Sequence, residues 1–267
     1  MKITATEIYS SVAEIRAKSP LVHNITNYVV MNSTANALLA LGASPVMAHA
    51  GEEVEEMVNI AQALVVNIGT LSERWILSMF KAAHQARKKG IPFILDPVGS
   101  GATLYRTKTA RELVEKEPPA IIRGNASEIM SLYDDKTSTR GVDSAAAADA
   151  AIVTAQKLSV SYRCVVCVSG ATDYIVDEDR IIKVYNGHPL MTKVTGLGCT
   201  ASALCGAFAA VEKDHLAAAT EAMAVMGIAG QIAAEKSAGP GSLQMHFLDV
   251  LYNLTEADIA RHLKIEE

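Results

Sequence analysis

A glycine-rich segment, Thr195-Gly196-Leu197-Gly198-Cys199-Thr200, precedes an apolar stretch that runs through Val211 and has the composition of a buried helix. Glycines allow the backbone to turn so that successive N–H groups converge at the N-terminus of the following helix. The helix dipole adds partial positive charge at the same place. The segment therefore predicts an anion-binding site of the kind that holds phosphate groups.

Two acidic residues stand near the ends of predicted strands, Asp96 in Asp96-Pro97-Val98-Gly99 and Glu128 in Asn125-Ala126-Ser127-Glu128. Carboxylates and water are the ligands that Mg²⁺ prefers, and two carboxylates facing a phosphate-binding helix would hold the ion against a nucleotide. Each acid alone has an ordinary explanation, because Asp-Pro often forms a turn and an acid in a first helical turn is common. Their coincidence with the glycine-rich segment favours a magnesium and nucleotide site.

The same glycines also fit the dinucleotide-binding pattern G-x-G-x-x-G/A through Gly196, Gly198 and Ala201. That pattern should open the first βαβ unit and be followed by a strand that ends in an acid. Here a further helical stretch follows instead, which disfavours an enzyme that transfers hydride. The Walker A pattern of P-loop nucleotide-binding proteins does not occur in the sequence.

Short, mostly continuous apolar runs bounded by turn residues predict the strands that must position these groups. Such runs are typical of strands covered on both faces. Longer helical stretches lie between them, for example Glu73–Lys89, which ends at Gly90. This βαβ rhythm predicts an α/β fold with a mainly parallel sheet and helices on both sides. The six predicted strands are 21–26, 45–49, 63–68, 92–96, 120–123 and 164–168.

In such a sheet, ligands bind at the carboxyl ends of the strands, so the residues that follow each strand are the candidates for a site. Most of these residues are polar, although any one of them could simply form a turn. In strand order they are Asn24 and Asn27, Met47 and His49, Asn67 and Gly69, Asp96 and Gly99, Asn125 and Glu128, and Ser169 and Gly170.

The rest of the pattern completes a single domain. Residues 173–176 and 181–185 predict a β-hairpin, and beyond residue 196 the pattern is helical almost to the end. The Ala-rich stretches 144–157 and 216–235 predict amphipathic helices. The polar segment 134–143 predicts a surface loop rather than a domain boundary. Residues 1–267 are therefore expected to form one domain.

Composition excludes several classes of partner. The net charge is -5 and there is no basic run, which disfavours nucleic-acid binding. Four cysteines give no disulfide framework, and Cys164-Val165-Val166-Cys167 has no second pair with which to bind zinc, so buried apolar cysteines are favoured. The charged N-terminus does not resemble a signal peptide. The two uncharged runs, 19–51 and 194–211, are too rich in Asn or Gly to cross a membrane. We expect a cytoplasmic protein that binds small molecules.

The sequence resembles the hydroxyethylthiazole kinases of thiamine salvage, within the ribokinase-like superfamily. The resemblance implies a three-layer αβα sandwich with a mainly parallel central sheet. It also implies that 4-methyl-5-(2-hydroxyethyl)thiazole is phosphorylated by ATP with Mg²⁺, in a homotrimer whose active sites lie between subunits. The blocks that carry it are 20–27, 41–47, 67–71, 95–99, 122–126 and 193–199.

The resemblance further implies a role for each matching position. Thiazole contacts are expected from Asn27, Met47, Gly69 and Gly196, and Mg²⁺ contacts from Asp96 and Glu128. Nucleotide contacts are expected from Arg123, Ser169 and Gly198. Ser169 often corresponds to Thr in the family and keeps the hydroxyl, whereas Leu197 replaces a residue that is commonly small and so alters the wall of the pocket.

Cys199 occupies the position where most ribokinase-like relatives have an Asp as the base. This cysteine distinguishes the thiazole kinases from sugar and pyridoxal kinases. A thiol is mostly protonated at neutral pH, although a helix N-terminus would lower its pKa, so Cys199 is expected to orient the substrate hydroxyl more than to deprotonate it. Two alternatives remain open: a kinase for pyridoxal or hydroxymethylpyrimidine, and a ribokinase-like dehydratase acting on hydrated nicotinamide cofactors.

Overall fold

Six parallel strands form the centre of the structure, a computed structural model that describes residues 3–133 and 144–267. Each lies within two residues of its predicted bounds, and the predicted parallel sheet is confirmed. The predicted loop 134–143 lies outside the described residues. The six strands are β1 (Leu21–Ile25), β2 (Ser44–Met47), β3 (Ala63–Asn67), β4 (Phe93–Asp96), β5 (Ile121–Asn125) and β6 (Val165–Ser169).

Three antiparallel strands extend one edge of this sheet. The predicted hairpin is confirmed as β7 (Asp173–Asp177) and β8 (Arg180–Val184), which pair along their full lengths. The sequence pattern did not predict the last strand, β9 (Ile265–Glu266), which pairs with β8. The strand order is β2-β1-β3-β4-β5-β6-β7-β8-β9.

Two hydrophobic cores, one on each face of the sheet, make the fold a three-layer αβα sandwich, as predicted. Successive strand residues alternate between the cores, so that Val65 packs in one and Val66 in the other. The first core is covered by α1 (Ala5–Lys18), α2 (Met31–Leu41), α8 (Leu197–Ala209), α9 (His215–Glu235), α10 (Pro240–Asn253) and α11 (Glu256–His262). The second core is covered by α3 (Val54–Ile60), α4 (Glu73–Lys89), α5 (Leu104–Lys116), α6 (Ala126–Tyr133) and α7 (Ser144–Tyr162).

Helix α4 shows how local sequence sets an element's bounds. The Ser72 hydroxyl accepts a hydrogen bond from the backbone N–H of Trp75 and caps the start of the helix. Gly90 ends it with a left-handed φ of 76°. Trp75 and Met79, four residues apart, lie on its buried face, as expected for one face of an amphipathic helix.

Helix α9, formed by the second of the two Ala-rich stretches, differs from its prediction. Residues 216–235 were expected to form an amphipathic helix, but α9 is buried nearly all round, because it packs against α8, α10 and the sheet. By length and composition α9 could cross a membrane, yet 94% of its most apolar window is buried inside the protein. The environment of α9 is that of a core helix.

Cys164 and Cys167 are both buried and free, on opposite faces of the sheet. This confirms that they are structural apolar residues.

Candidate active site

The carboxyl ends of β1, β3 and β4 meet the N-terminus of α8, and the predicted anion site lies at that junction. Gly196 caps α8 with a φ of 87°, and no side chain occupies the cap. A Cβ at Gly196 would lie 2.8 Å from Cγ1 of Val30, so the close approach of this turn to the start of α2 also requires glycine. The first N–H groups of α8 are thus free to bind an anion.

A chain of side-chain amides connects this helix terminus to β4. The Asn27 amide Nδ2 donates to Asn67 Oδ1 at 2.9 Å and to the Cys199 sulfur at 3.6 Å. The Asn67 amide Nδ2 donates in turn to Asp96 Oδ2 at 2.7 Å. Gly69 joins the chain through its backbone N–H, which donates to Asn67 Oδ1 at 2.9 Å. Asn27, Gly69, Asp96 and Cys199, all predicted site residues, are therefore tied together by Asn67.

Asp96 is the buried acid at the centre of the site. Its pKa is raised to about 6, mainly by burial and in part by the charge of Glu128, while Arg123, Ser202 and Asn67 oppose the rise. One carboxylate oxygen, Oδ1, is buried without a hydrogen-bond partner. A buried carboxylate with an unused oxygen next to a second acid is suited to bind a cation.

Cys199 is a neutral thiol in this environment. Its pKa is raised to about 12, mainly by burial and in part by the nearby Asp96 carboxylate, while the Asn67 and Asn27 amides oppose the rise. The expected lowering of this pKa is wrong, because desolvation and the neighbouring Asp96 charge raise it above its ordinary value.

The predicted nucleotide residues form a second group at the ends of β5 and β6. The Arg123 guanidinium donates to Ser169 Oγ at 2.8 Å. A Cβ placed on Gly198 would lie only 3.0 Å from Arg123 Nη1, so Arg123 lies directly against the start of α8. Burial alone would lower the pKa of Arg123, but the charges of Asp96 and Asp173 raise it. A protonated guanidinium thus lies beside the free N–H groups of α8.

Glu128, the second acid, is held by backbone amides on both oxygens. Oε1 accepts from the N–H of Gly99 and Oε2 from the N–H of Asn125, each at 2.9 Å. These bonds fix the carboxylate against the loop after β4, and each oxygen retains a further lone pair for a ligand. Among residues 3–133 and 144–267, no group of three or more His, Cys, Asp and Glu could hold a metal. An ion bound here would depend on Asp96, Glu128, water and a phosphate, a donor set that fits Mg²⁺.

Sequence reasoning did not assign a role to two residues that shape the site. Asn67 appeared only among the polar residues that follow strands. Arg106 was not singled out at all, yet its guanidinium donates to the carbonyl oxygens of Val98 and Gly69, each at 2.8 Å, and joins the loops after β3 and β4. Met47, in contrast, lies outside these groups, half-buried at the end of the edge strand β2 and in register with Asn24.

The sequence of the chain matches a known family over most of its length. The model of the hydroxyethylthiazole kinase family matches residues 12–257. The chain belongs to the hydroxyethylthiazole kinase family.

Similar proteins agree with this assignment. The chain is 64% identical to a hydroxyethylthiazole kinase of Syntrophus aciditrophicus, over 99% of this chain and 98% of that protein. The structure of the hydroxyethylthiazole kinase from Pyrococcus horikoshii superimposes with a TM-score of 0.90 at 43% identity, covering 98% of both chains. A ribokinase-like protein of Enterococcus faecalis, 13% identical with a TM-score of 0.63, covers 90% of this chain and 89% of that one and shows the fold alone. Family, kinase class and ribokinase-like fold are thus confirmed.

Proposed function

We propose that this hydroxyethylthiazole kinase transfers the γ-phosphoryl group of ATP to the hydroxyl of 4-methyl-5-(2-hydroxyethyl)thiazole. The products are ADP and the thiazole phosphate used for thiamine phosphate synthesis. The observation that carries the proposal is the family match over residues 12–257. The geometry supports it, because one continuous site combines a free helix N-terminus, a buried carboxylate and a neutral thiol.

On the acceptor side, we assign the thiazole to Asn27, Met47, Gly69 and Gly196. Asn27 and Gly69 lie on the loops after β1 and β3, Met47 is the last residue of β2, and Gly196 caps the start of α8. The amide of Asn27 reaches the Cys199 sulfur, so an alcohol bound against Asn27 would lie beside the thiol. In that pose the acceptor hydroxyl would lie next to the N–H groups of α8 that we assign to the transferring phosphoryl group.

On the nucleotide side, Arg123, Ser169 and Gly198 would bind the phosphates. Arg123 supplies positive charge, and Gly198 lets the guanidinium approach the first turn of α8. Asp96 and Glu128 would hold Mg²⁺, which when bound offsets the negative charge of the phosphates. Phosphoryl transfer passes through a loose transition state, so positioning and charge neutralisation by these residues account for most of the catalysis.

Cys199 is assigned to orienting the acceptor hydroxyl. Its pKa of about 12 leaves the thiol protonated at neutral pH, so it is a poor proton acceptor. Because the sulfur already accepts a hydrogen bond from Asn27, the S–H group is free to donate toward the alcohol oxygen. In a loose transition state the alcohol loses its proton late, so the reaction tolerates a weak base.

An ADP-release screen over three alcohols tests the proposal. The purified protein, ATP and Mg²⁺ are incubated with the thiazole alcohol, hydroxymethylpyrimidine or pyridoxal, with a blank lacking any alcohol. We expect ADP release that depends on the thiazole alcohol, together with its phosphate ester by mass spectrometry. Turnover of the pyrimidine or pyridoxal only would reassign the substrate. A further incubation contains a hydrated nicotinamide cofactor instead of an alcohol, and ADP release in that sample alone would indicate the dehydratase.

We further propose that the enzyme is a single kinase domain acting in the cytoplasm as a homotrimer with active sites between subunits. All nine described strands belong to one sheet, which supports the single domain. The described cysteines are all free, which suits a reducing compartment. Tyr28 and Val29 are 63% and 69% exposed beside the proposed acceptor site, and a neighbouring subunit would cover this apolar surface.

A further inference from the structure

Asn67 lies at the carboxyl end of β3, is 1% exposed, and contacts both halves of the candidate site through one amide. Its Oδ1 faces the acceptor residues Asn27 and Gly69, and its Nδ2 faces Asp96. We propose that Asn67 is a positioning residue that aligns the acceptor-binding amide with the carboxylate assigned to the metal. This inference rests on the proposed function. It adds a role for Asn67, to which the proposed function assigns none.

Backbone groups fix the direction of every bond in this chain of amides. The N–H of Gly69 can only donate, so the group facing it on Asn67 must be the carbonyl oxygen. The Asn67 NH₂ group must then point to Asp96. In the same way, the N–H of Val29 donates to Asn27 Oδ1 at 3.1 Å, which turns the Asn27 NH₂ group toward Asn67 and the Cys199 sulfur.

Because the direction of each hydrogen bond is fixed, the two halves of the Asn67 amide have different roles that can be tested separately. The carbonyl half of Asn67 holds the Asn27 amide, which we assign to acceptor binding. The NH₂ half holds Oδ2 of Asp96, so that the unpartnered Oδ1 is the oxygen left for a ligand. Loss of the carbonyl contact to Asn27 should weaken acceptor binding, whereas loss of the NH₂ contact to Asp96 should slow turnover.

Two substitutions at Asn67 separate these halves. Asn67→Asp keeps an oxygen that accepts from Asn27 and Gly69 but places a second carboxylate oxygen where the donor to Asp96 was. We expect kcat to fall at least about tenfold while the KM for the thiazole alcohol stays within about threefold of wild type. Asn67→Leu removes both halves, so we expect kcat to fall and the acceptor Kd, measured by calorimetry without ATP, to rise at least about tenfold.

Asn186 offers the matched control. It is another buried asparagine, 6% exposed, that follows β8 and lies outside the candidate site. Both halves of its amide are also bonded, since Nδ2 donates to the backbone oxygen of His262 and Oδ1 accepts from the N–H of Lys264. Asn186→Asp and Asn186→Leu should lower the melting temperature, as the Asn67 variants also will, but leave the acceptor Kd and KM near wild type. If Asn67→Leu does not fold, Asn67→Ser, which is too short to bridge both partners, replaces it with the same expected change in Kd.

The inference is overturned if the folded Asn67 variants keep kcat, KM and Kd within twofold of wild type. It is also overturned if they change these constants only as far as the Asn186 variants do, because Asn67 would then be merely structural. Failure of the proposed function is distinguishable from both results. It would appear in the wild-type protein, as the absence of ADP release with the thiazole alcohol.

Discussion

The thiol of Cys199 lies at the N-terminus of α8 and close to the buried Asp96 carboxylate, and these surroundings act on it in opposite directions. The helix terminus favours the thiolate, whereas burial and the carboxylate favour the thiol. Burial dominates, and the pKa rises from its ordinary 9.0 to about 12. The cysteine at this position thus supplies a small neutral group that orients the alcohol, rather than a proton acceptor.

The raised pKa predicts slow alkylation of Cys199. Iodoacetamide reacts with the thiolate, whose fraction at pH 8 is about a thousandfold lower at a pKa of about 12 than at the ordinary 9.0. Labelling at pH 8 should therefore be about a thousandfold slower than that of an unperturbed thiol, and its rate should still rise between pH 8 and pH 10. Mass spectrometry of timed samples measures the rate, and protein unfolded in urea is the control. Rapid labelling of the folded protein at pH 8 would show that the thiol is activated.

Removal of the thiol should slow the enzyme without abolishing its activity. In Cys199→Ala the N–H groups of α8, Arg123 and the two acids remain, so we expect the single-turnover rate to stay within about tenfold of wild type. Cys199→Ser, which keeps a small neutral hydroxyl, should be closer to wild type still. Complete loss of turnover in a folded Ala variant would make Cys199 an indispensable base and contradict the orienting role.

The two acids should determine how much Mg²⁺ the enzyme needs. Because Asp96 has an unused oxygen and Glu128 is fixed by two backbone amides, both Asp96→Asn and Glu128→Gln should raise the Mg²⁺ concentration for half-maximal activity by about tenfold or more. Titration of activity against Mg²⁺ at fixed ATP measures this. Glu55→Gln, at an exposed acid of α3, should leave the titration unchanged. An unaltered metal requirement in both site variants would rule out these ligands.

The candidate site was largely predictable, because the carboxyl ends of parallel strands meet at one edge of the sheet. That rule brings Asn27, Asp96 and Arg123 together from positions far apart in the sequence. The role of Asn67 was not predictable, since it depends on which of several polar neighbours each amide atom faces. The pKa of Cys199 was predicted with the wrong sign because sequence does not reveal the depth of burial.

The strands were easier to predict from the sequence than the surroundings of the helices. A strand buried on both faces is a continuous apolar run, which is visible in the sequence. Strand β9, in contrast, has only two residues and is recognised only by its pairing with β8. Helix α9 is so rich in Ala that no face stands out, and only packing shows that nearly all of it is buried. Strand β9 and the burial of α9 both depend on tertiary contacts, which a local sequence pattern does not encode.

The buried acid on α9 gives this helix a pH-dependent stability. Glu221 is 2% exposed, and burial raises its pKa from 4.5 to about 7, with Glu212 and Glu7 adding to the rise and Ser11 opposing it. The folded state therefore binds the proton more tightly than the unfolded state, so ionisation of Glu221 destabilises the fold above about pH 7. The penalty disappears below about pH 4.5, where both states are protonated.

Glu221→Gln should remove this penalty. At pH 8 we expect stabilisation of up to about 3 kcal/mol, since each pKa unit is worth about 1.4 kcal/mol. The gain should shrink as the pH falls from 7 to 4.5. Urea unfolding at several pH values measures it, with Glu235→Gln, at an exposed acid of the same helix, as the control. A gain independent of pH would mean that something other than ionisation is responsible.

Exposed apolar side chains lie beside the acceptor loops, and nothing within the described part of a single chain covers them. Val29 follows Asn27 by two residues, and its side chain is 69% exposed although its backbone N–H fixes the Asn27 amide. In the proposed trimer a neighbouring subunit covers this position and so completes the acceptor pocket. Oligomeric state and activity should then depend on one another.

A charge placed at Val29 should break that dependence. Burial of an unpaired carboxylate in an apolar interface is unfavourable, so Val29→Asp should sediment as a smaller species than wild type and lose activity in parallel. Val160→Asp is the matched control, because Val160 is also a valine, is 61% exposed, and lies on α7, away from the acceptor loops. It should sediment and turn over like wild type. Sedimentation of fully active wild-type enzyme as a monomer would refute the trimer, and a Val29→Asp variant that stays trimeric would place the interface elsewhere.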